Sequence, residues 1–334
     1  AGRERVFELA ARTGYPIVAE AGSQLRFGPR PDGVTVVDHF DVIAELPATR
    51  LVLQLGAEPV AAAWPGWIAR TRPARWNLAT SWHDPNSDAI VVLGELASTL
   101  AALVPRVERR VSPAWTRTWS ELEVQAAAAM ERALAAHPDS ETAALRSAIV
   151  ALPDGAAIQI GNSLPIRIVD HVPATRAMHP VITQRGAAGI DGLVSSAAGA
   201  TRAGVPVLLV LGDVSFAHDV GGLLAARAVQ APLAILVLDN RGGQIFAGLP
   251  LARTDVSPAC FALHWTTEPE IDPVAIAAAF GVRAVAARSP AAVGAAVATA
   301  LAPTNPGGVT VIHAPVTESG AHDVRRVALE RRAP

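Results

Sequence analysis

Two apolar runs, Val205–Leu211 and Leu233–Leu238, each close on polar residues, Gly212-Asp213 after the first and Asp239-Asn240 after the second. Runs that are apolar throughout, rather than at alternate positions, belong to strands covered on both faces, the condition of a parallel sheet packed between helices. Two such ends, 27 positions apart (240 − 213), can lie side by side on the carboxyl edge of one sheet, where open α/β sheets bind ligands. The Asp213 carboxylate, the Asn240 amide oxygen and the Gly242 carbonyl make a hard, all-oxygen set suited to Mg²⁺, with positions left for phosphate oxygens and water. A diphosphate would rest on the amino end of a helix starting near Ser215, where free N–H groups and the helix dipole favour anions.

The rest of the chain repeats the strand–helix alternation, predicting an α/β fold of two doubly wound, mainly parallel-sheet domains. In the first part, strands are expected near Pro16–Ala19, Thr35–Asp38, Arg50–Leu55, Trp76–Thr80 and Ala89–Leu93, with helices at Arg3–Thr13, Pro59–Thr71 and Ala97–Leu103. The charged stretch Arg106–Pro113 places the boundary, giving a middle domain over 1–113 and a diphosphate- and metal-binding domain over 114–334. The second domain opens with helices Ala114–Ala136 and Ser140–Leu152. Strands Ala157–Ile160 and Pro180–Thr183 then alternate with helices Leu164–Asp170, Ile190–Arg202 and Phe216–Ala228 around the two apolar runs. Helix Pro273–Phe280, strand Val282–Ala286, helix Pro290–Leu301 and strand Gly308–Ala314 complete it, with Arg325–Pro334 expected to fray.

Composition removes several chemistries. All 28 basic residues are arginine, so a lysine Schiff base and a P-loop lysine are both impossible. The single cysteine, Cys260, excludes an internal disulfide and a cysteine-cluster metal site. A net charge of −2 gives no basic footprint for nucleic acid. No apolar run approaches the ~20 residues of a membrane span, and a cytoplasmic location is expected.

Two further segments end strands on the same edge: Gly161-Asn162-Ser163-Leu164-Pro165-Ile166-Arg167 and Gln184-Arg185-Gly186-Ala187-Ala188-Gly189-Ile190-Asp191-Gly192. Arg167 and Arg185 either bind the carboxylates of a polyanionic small substrate or pair with the local acids Asp170 and Asp191. With Gly212-Asp213-Val214-Ser215 and the loop Asp239-Asn240-Arg241-Gly242-Gly243-Gln244-Ile245-Phe246, these segments resemble one branch of the thiamine diphosphate enzymes. That branch is the 2-succinyl-5-enolpyruvyl-6-hydroxy-3-cyclohexene-1-carboxylate synthases of menaquinone biosynthesis. Val214 favours it, because most other thiamine diphosphate enzymes place a second glycine there.

The resemblance implies thiamine diphosphate with Mg²⁺ (or Mn²⁺) as cofactors, the metal held by Asp213, Asn240 and Gly242. Ile190 would prop the cofactor into its bent form, and Gly212, Val214, Ser215, Gly243, Gln244 and Ile245 would complete its site. Ser163, Arg167 and Arg185 would bind substrate carboxylates and hydroxyls, with Phe246 and Leu249 as the apolar wall. The implied reaction is decarboxylation of 2-oxoglutarate and addition of the succinyl carbanion to isochorismate.

The chain departs from the family at Gln184, Ala188 and Asp239, where asparagine, serine and asparagine are usual, and Ala61-Ala62-Ala63 offers none of the basic residues often found there. Family members also carry a pyrimidine-binding domain with the glutamate that activates the cofactor. None of the 334 residues resembles it, so the expected catalytic acid lies outside this sequence and the isolated chain is expected to be inactive. The best-placed acid, Glu95, is expected only to cap the following helix. The family builds its active site between chains, so a homodimer or homotetramer is implied. The alternatives are another thiamine diphosphate decarboxylase or carboligase, and a non-catalytic diphosphate-binding or assembly partner.

Overall fold

The computed structural model describes residues 2–330 except 174, 255 and 306. Helix α1 (Gly2–Thr13) leads into β1 (Ile17–Val18), which pairs in parallel with β2 (Val36–Val37). Strand β3 (Leu51–Leu55), α2 (Ala63–Thr71), β4 (Ala74–Ala79), β5 (Ala89–Leu93) and α3 (Leu96–Leu103) follow, and β3-β4-β5 form a separate parallel sheet. Glu95 caps α3 as expected, accepting from the backbone N–H of Ala97 at 3.0 Å and of Ser98 at 2.7 Å.

The long α4 (Pro113–Ala136) and α5 (Glu141–Val150) precede the large sheet. Its elements are β6 (Ala157–Ile160), α6 (Pro165–Ile168), β7 (Val181–Thr183), α7 (Leu193–Ala200), β8 (Val207–Gly212), α8 (Asp213–His218), α9 (Leu223–Ala226) and β9 (Pro232–Asp239). After α10 (Pro258–Phe261) come α11 (Pro273–Ala279), β10 (Arg283–Ala286), α12 (Pro290–Ala300), β11 (Gly308–Pro315) and α13 (Gly320–Leu329). The strand order is β10-β11-β9-β8-β6-β7, parallel throughout. Even-numbered residues such as Ile158, Leu208, Val210 and Leu236 pack on the α5 and α12 side. The odd-numbered Leu209, Leu211, Ile235 and Val237 pack on the α7, α9 and α11 side. This two-sided burial is why the runs carry no polar alternation.

The chain leaves β6 outward to β7 and returns across β6 to β8, so a topological switch point lies between β6 and β8. The carboxyl edge there is the crevice in which doubly wound sheets bind ligands.

Several expected helices are shorter or broken, each because a distant side chain takes a backbone group. α2 begins at Ala63 rather than Pro59: Glu20 accepts from the Val60 N–H and Asp41 from the Ala63 N–H, both at 2.8 Å. α7 begins at Leu193 after Gly192 (φ 68°), so Ile190 lies on a bend. Asp219 accepts from the Val194 and Ser195 N–H groups at 2.6 and 3.3 Å. The expected helix Phe216–Ala228 starts at Asp213, breaks at Asp219, passes through a 3₁₀ turn Val220–Gly222 and resumes as α9. Arg325–Leu329 does not fray: it lies in α13, whose Val324 and Ala328 are buried against α4 and the Phe40–Trp64–Trp67 cluster. The last four residues of that expected tail lie outside the described ones.

Arg325 also closes a buried charge network. Its Nε donates to Asp41 Oδ2 at 2.7 Å, and His171 Nε2 lies 3.2 Å from the same oxygen. Burial alone would raise the Asp41 pKa, but the His171 and Arg325 hydrogen bonds outweigh it and hold it at about 2, against an ordinary 3.8. A folded-state pKa below the unfolded one stabilises above the unfolded value and is lost as pH falls through the folded one. The wild-type chain should therefore lose roughly 2 kcal/mol from this site between about pH 4 and pH 2. Urea unfolding at stepped pH should show that loss, and Asp41→Asn should flatten it.

Candidate functional site

The carboxyl ends of β8 and β9 are adjacent, with Gly212 opposite Leu238 in the register, so Asp213 and Asn240 emerge side by side. Asp213 is 2% exposed; its Oδ1 accepts from the Val214 N–H at 2.8 Å and its Oδ2 from the Gly242 N–H at 2.7 Å. The two loops are thereby tied through one carboxylate. Burial, with Asp239 nearby, pushes the Asp213 pKa up, marking a carboxylate short of compensating positive charge.

Asn240 is 4% exposed, and its amide nitrogen donates to Glu141 Oε1. Its Oδ1, the atom expected to face the metal, is buried with no hydrogen-bond partner, as is Glu141 Oε2. A buried acceptor without a donor costs about 1–3 kcal/mol, and a cation beside it removes that penalty. The Gly242 carbonyl accepts from the Gln244 N–H at 2.8 Å, and its second lone pair leaves it able to ligate. The donor set thus fits a hard divalent ion with one carboxylate, one amide oxygen and one carbonyl. Among the described residues no group of three or more His, Cys, Asp or Glu is placed to hold a metal, so such an ion would depend on this mixed set.

Gly242 has φ 117°, a backbone region closed to ordinary L residues, and a Cβ there would collide with the Thr266 carbonyl oxygen. Gly242→Ala should destabilise the fold by about 1–3 kcal/mol through backbone strain. Differential scanning calorimetry should register it as a lowered midpoint.

A cavity of about 140 Å³ opens over this edge. Gly212, Asp213, Val214 and Ser215 border it from β8 and α8, and Asn240, Gly242, Gly243, Gln244, Ile245 and Phe246 from the loop after β9. Ser163 and Ile190 border it from the loops after β6 and β7. The loop ends in a 3₁₀ turn, Gln244–Gly248, pinned by His322 Nε2 against the Gln244 carbonyl at 2.7 Å.

Arg167, Arg185 and Leu249 do not border that cavity. Leu249 stands 44% exposed beyond the 3₁₀ turn. Arg167 is half-buried and donates to the Ser163 carbonyl at 2.6 Å, while the exposed Arg185 donates to Asn162 Oδ1 at 3.3 Å. Asn162 in turn donates to the Gly189 carbonyl at 2.6 Å, which joins the two strand-end loops. Neither arginine pairs with Asp170 or Asp191 among the described residues; Asp170 faces Arg26 at 3.5 Å. Burial and the neighbouring Arg185 lower the Arg167 pKa, so two cations share one region.

Two acids in this neighbourhood escaped the sequence reading. Glu141 borders the cavity and is fully buried; burial pushes its pKa up to about 8. It reads in sequence only as part of a helix start, and its partner Asn240 is 99 residues away. Glu20 lies within the field of Arg185, Arg26 and Arg167, although burial raises its pKa overall. Nothing near Glu20 in the sequence signals that placement.

Comparison with known proteins points to the same part of the chain. The profile of the thiamine pyrophosphate enzyme C-terminal TPP-binding domain matches residues 160–314. A 2-succinyl-5-enolpyruvyl-6-hydroxy-3-cyclohexene-1-carboxylate synthase from Sorangium cellulosum is 39% identical over 303 residues, 84% of this chain and 48% of its own length. Proteins of the same name from Geobacillus kaustophilus (40%) and Halobacterium salinarum (37%) match 75% and 74% of the chain, and 45% and 43% of their own lengths. The chain therefore spans about half the length of the curated relatives it matches. It belongs to the thiamine pyrophosphate enzyme family, on the branch of the 2-succinyl-5-enolpyruvyl-6-hydroxy-3-cyclohexene-1-carboxylate synthases.

Proposed function

We propose that residues 114–334 form the diphosphate- and metal-binding half of an active site for menaquinone biosynthesis, in which 2-oxoglutarate is decarboxylated and its succinyl unit is joined to isochorismate. The observation that carries the reading is the pairing of Asp213 with the unpartnered Asn240 Oδ1 at adjacent strand ends. Asp213, Asn240 and the Gly242 carbonyl would hold Mg²⁺ or Mn²⁺, and the N–H groups at the start of α8 would face the diphosphate. Thiamine diphosphate, when bound, supplies the electron sink that decarboxylation of a 2-oxo acid requires.

The chain's own residues orient and exclude. Ile190 and Ile245 border the cavity with apolar surface, which limits water around the reacting atoms. Arg167 and Arg185 stand at the strand-end loops beyond the cavity border with no direct ion pair among the described residues. Glu20 acts on both only through its field, and in this reading they hold the carboxylates of both substrates. In this reading the activating acid comes from a pyrimidine-binding domain, in a dimer or tetramer. The 334 residues alone then bind the cofactor weakly and turn nothing over.

With a relative's pyrimidine-binding domain added in trans, CO₂ release from 2-oxoglutarate should require isochorismate for turnover. Arg185→Ala and Arg167→Ala should each raise KM for a carboxylate substrate roughly tenfold to a hundredfold, the worth of one charged hydrogen bond. Unchanged KM in both variants, measured by steady-state kinetics, would remove these arginines from the substrate site.

A further inference from the structure

A glutamate in the first turn of a helix ordinarily stands in water, where its charge meets the helix dipole at little cost. Glu141, the first residue of α5, is instead 2% exposed and bonded to the residue that follows β9. Two backbone bonds bring it there. The N–H groups of Val316 and Thr317, consecutive residues after β11, donate to the carbonyls of Asp239 at 2.9 Å and Asp139 at 3.0 Å. One short segment thereby joins the end of β9 to the start of α5, and Asn240 meets Glu141 beside the join. Gly320 permits the close approach, since a Cβ on it would stand 2.8 Å from the Ser140 Cα.

A buried carboxylate is costly unless a cation or full hydrogen bonding compensates it. Among the described residues Glu141 accepts from one donor, the Asn240 amide, and its Oε2 from none. The charge that acts on it most is a second acid, Asp213. Asn240 gives the arrangement a use. A primary amide carries an oxygen on one side and an NH₂ on the other, nearly alike in shape, so ligation through the oxygen requires that the turned amide be excluded. A carboxylate excludes it: an acceptor-only group takes the NH₂ and leaves Oδ1 for the cavity that both residues border. Resting on the metal set proposed above, we infer that Glu141 is a positioning residue that fixes the Asn240 amide with its oxygen toward the divalent ion. The buried acid then costs the ligand-free fold stability and orders a ligand of the loaded site.

Glu141→Gln keeps the size but both donates and accepts, so the Asn240 amide becomes free to turn. Mn²⁺-dependent binding of thiamine diphosphate to the 334-residue chain, read by calorimetry, should weaken roughly tenfold to a hundredfold, the usual effect of losing a partner that orients a metal ligand. Urea unfolding of the ligand-free variant should show no loss of stability, because an amide is easier to bury than a carboxylate. Asn240→Asp separates orientation from charge, since its two oxygens are alike and need no orienting. Added to Asn240→Asp, Glu141→Gln should weaken Mn²⁺-dependent binding less than about twofold. A loss there as large as in the wild-type background would mean that Glu141 acts through its charge, and would overturn the positioning role. Unchanged binding in Glu141→Gln alone, with binding abolished by Asp213→Ala, would overturn it too and leave the metal set standing. A wild-type chain with no Mn²⁺-dependent binding would overturn both.

Discussion

Asp213→Ala should weaken metal-dependent binding of thiamine diphosphate by at least about a hundredfold, because it removes the single charged ligand of the proposed metal set. The same carboxylate also holds the Gly242 N–H, so its loss frees the loop that carries two further ligands. Asp213→Asn separates the two roles. It keeps an acceptor of the same shape but removes the charge, and binding should still fall well beyond tenfold. The stability of the ligand-free chain should move far less, within about 1 kcal/mol, because burial already penalises the charged carboxylate and raises its pKa. Calorimetric titration gives the affinity and chemical denaturation the stability. Equal losses in both would mean that Asp213 is a structural residue whose effect on binding is indirect.

Arg26→Met should destabilise the chain by about 3–5 kcal/mol, the scale seen when one partner of a buried ion pair is removed. Arg26 has no exposed surface. It donates to the carbonyls of Ala19 and Asp38 at 3.0 and 3.1 Å and to those of Val169 and Val172 at 2.6 Å each. The first pair belongs to the β1–β2 region and the second to the segment after α6, so one guanidinium joins the two. Methionine fills much of the volume but leaves four carbonyls without their donor and the buried Asp170 without the positive charge 3.5 Å away; burial already pushes the Asp170 pKa up to about 8. Arg26→Lys should recover little, since one ammonium has three donors and no planar fork. Arg26→Met with Asp170→Asn should recover part of the loss by removing the stranded acid. A loss below about 1 kcal/mol for Arg26→Met, read from urea midpoints, would contradict this account.

The strands of the large sheet were legible because β8 and β9 are buried on both faces, and a run such as Val207–Leu211 has no other stable place in a protein this size. Their polar ends were legible for the same reason, since a residue just past a buried strand is set by the sheet edge. What sequence could not convey depends on partners far along the chain. The break between α8 and α9 follows from Asp219 capping α7, 25 residues earlier than its own position. The start of α2 follows from Glu20 and Asp41, and the order of α13 from Asp41 and the tryptophan cluster. Glu141 reaches the site through its bond from Asn240, 99 residues further along the chain. Polar residues at Arg325–Leu329 suggest a loose end until their partners are visible.

The most direct measurement is a crystal of the chain grown with thiamine diphosphate and Mn²⁺, with anomalous data collected for manganese. The account predicts one strong peak about 2.1–2.3 Å from an Asp213 carboxylate oxygen, Asn240 Oδ1 and the Gly242 carbonyl, with diphosphate oxygens completing the shell. A manganese peak elsewhere, or diphosphate bound with Asn240 Oδ1 still unpartnered, would contradict it.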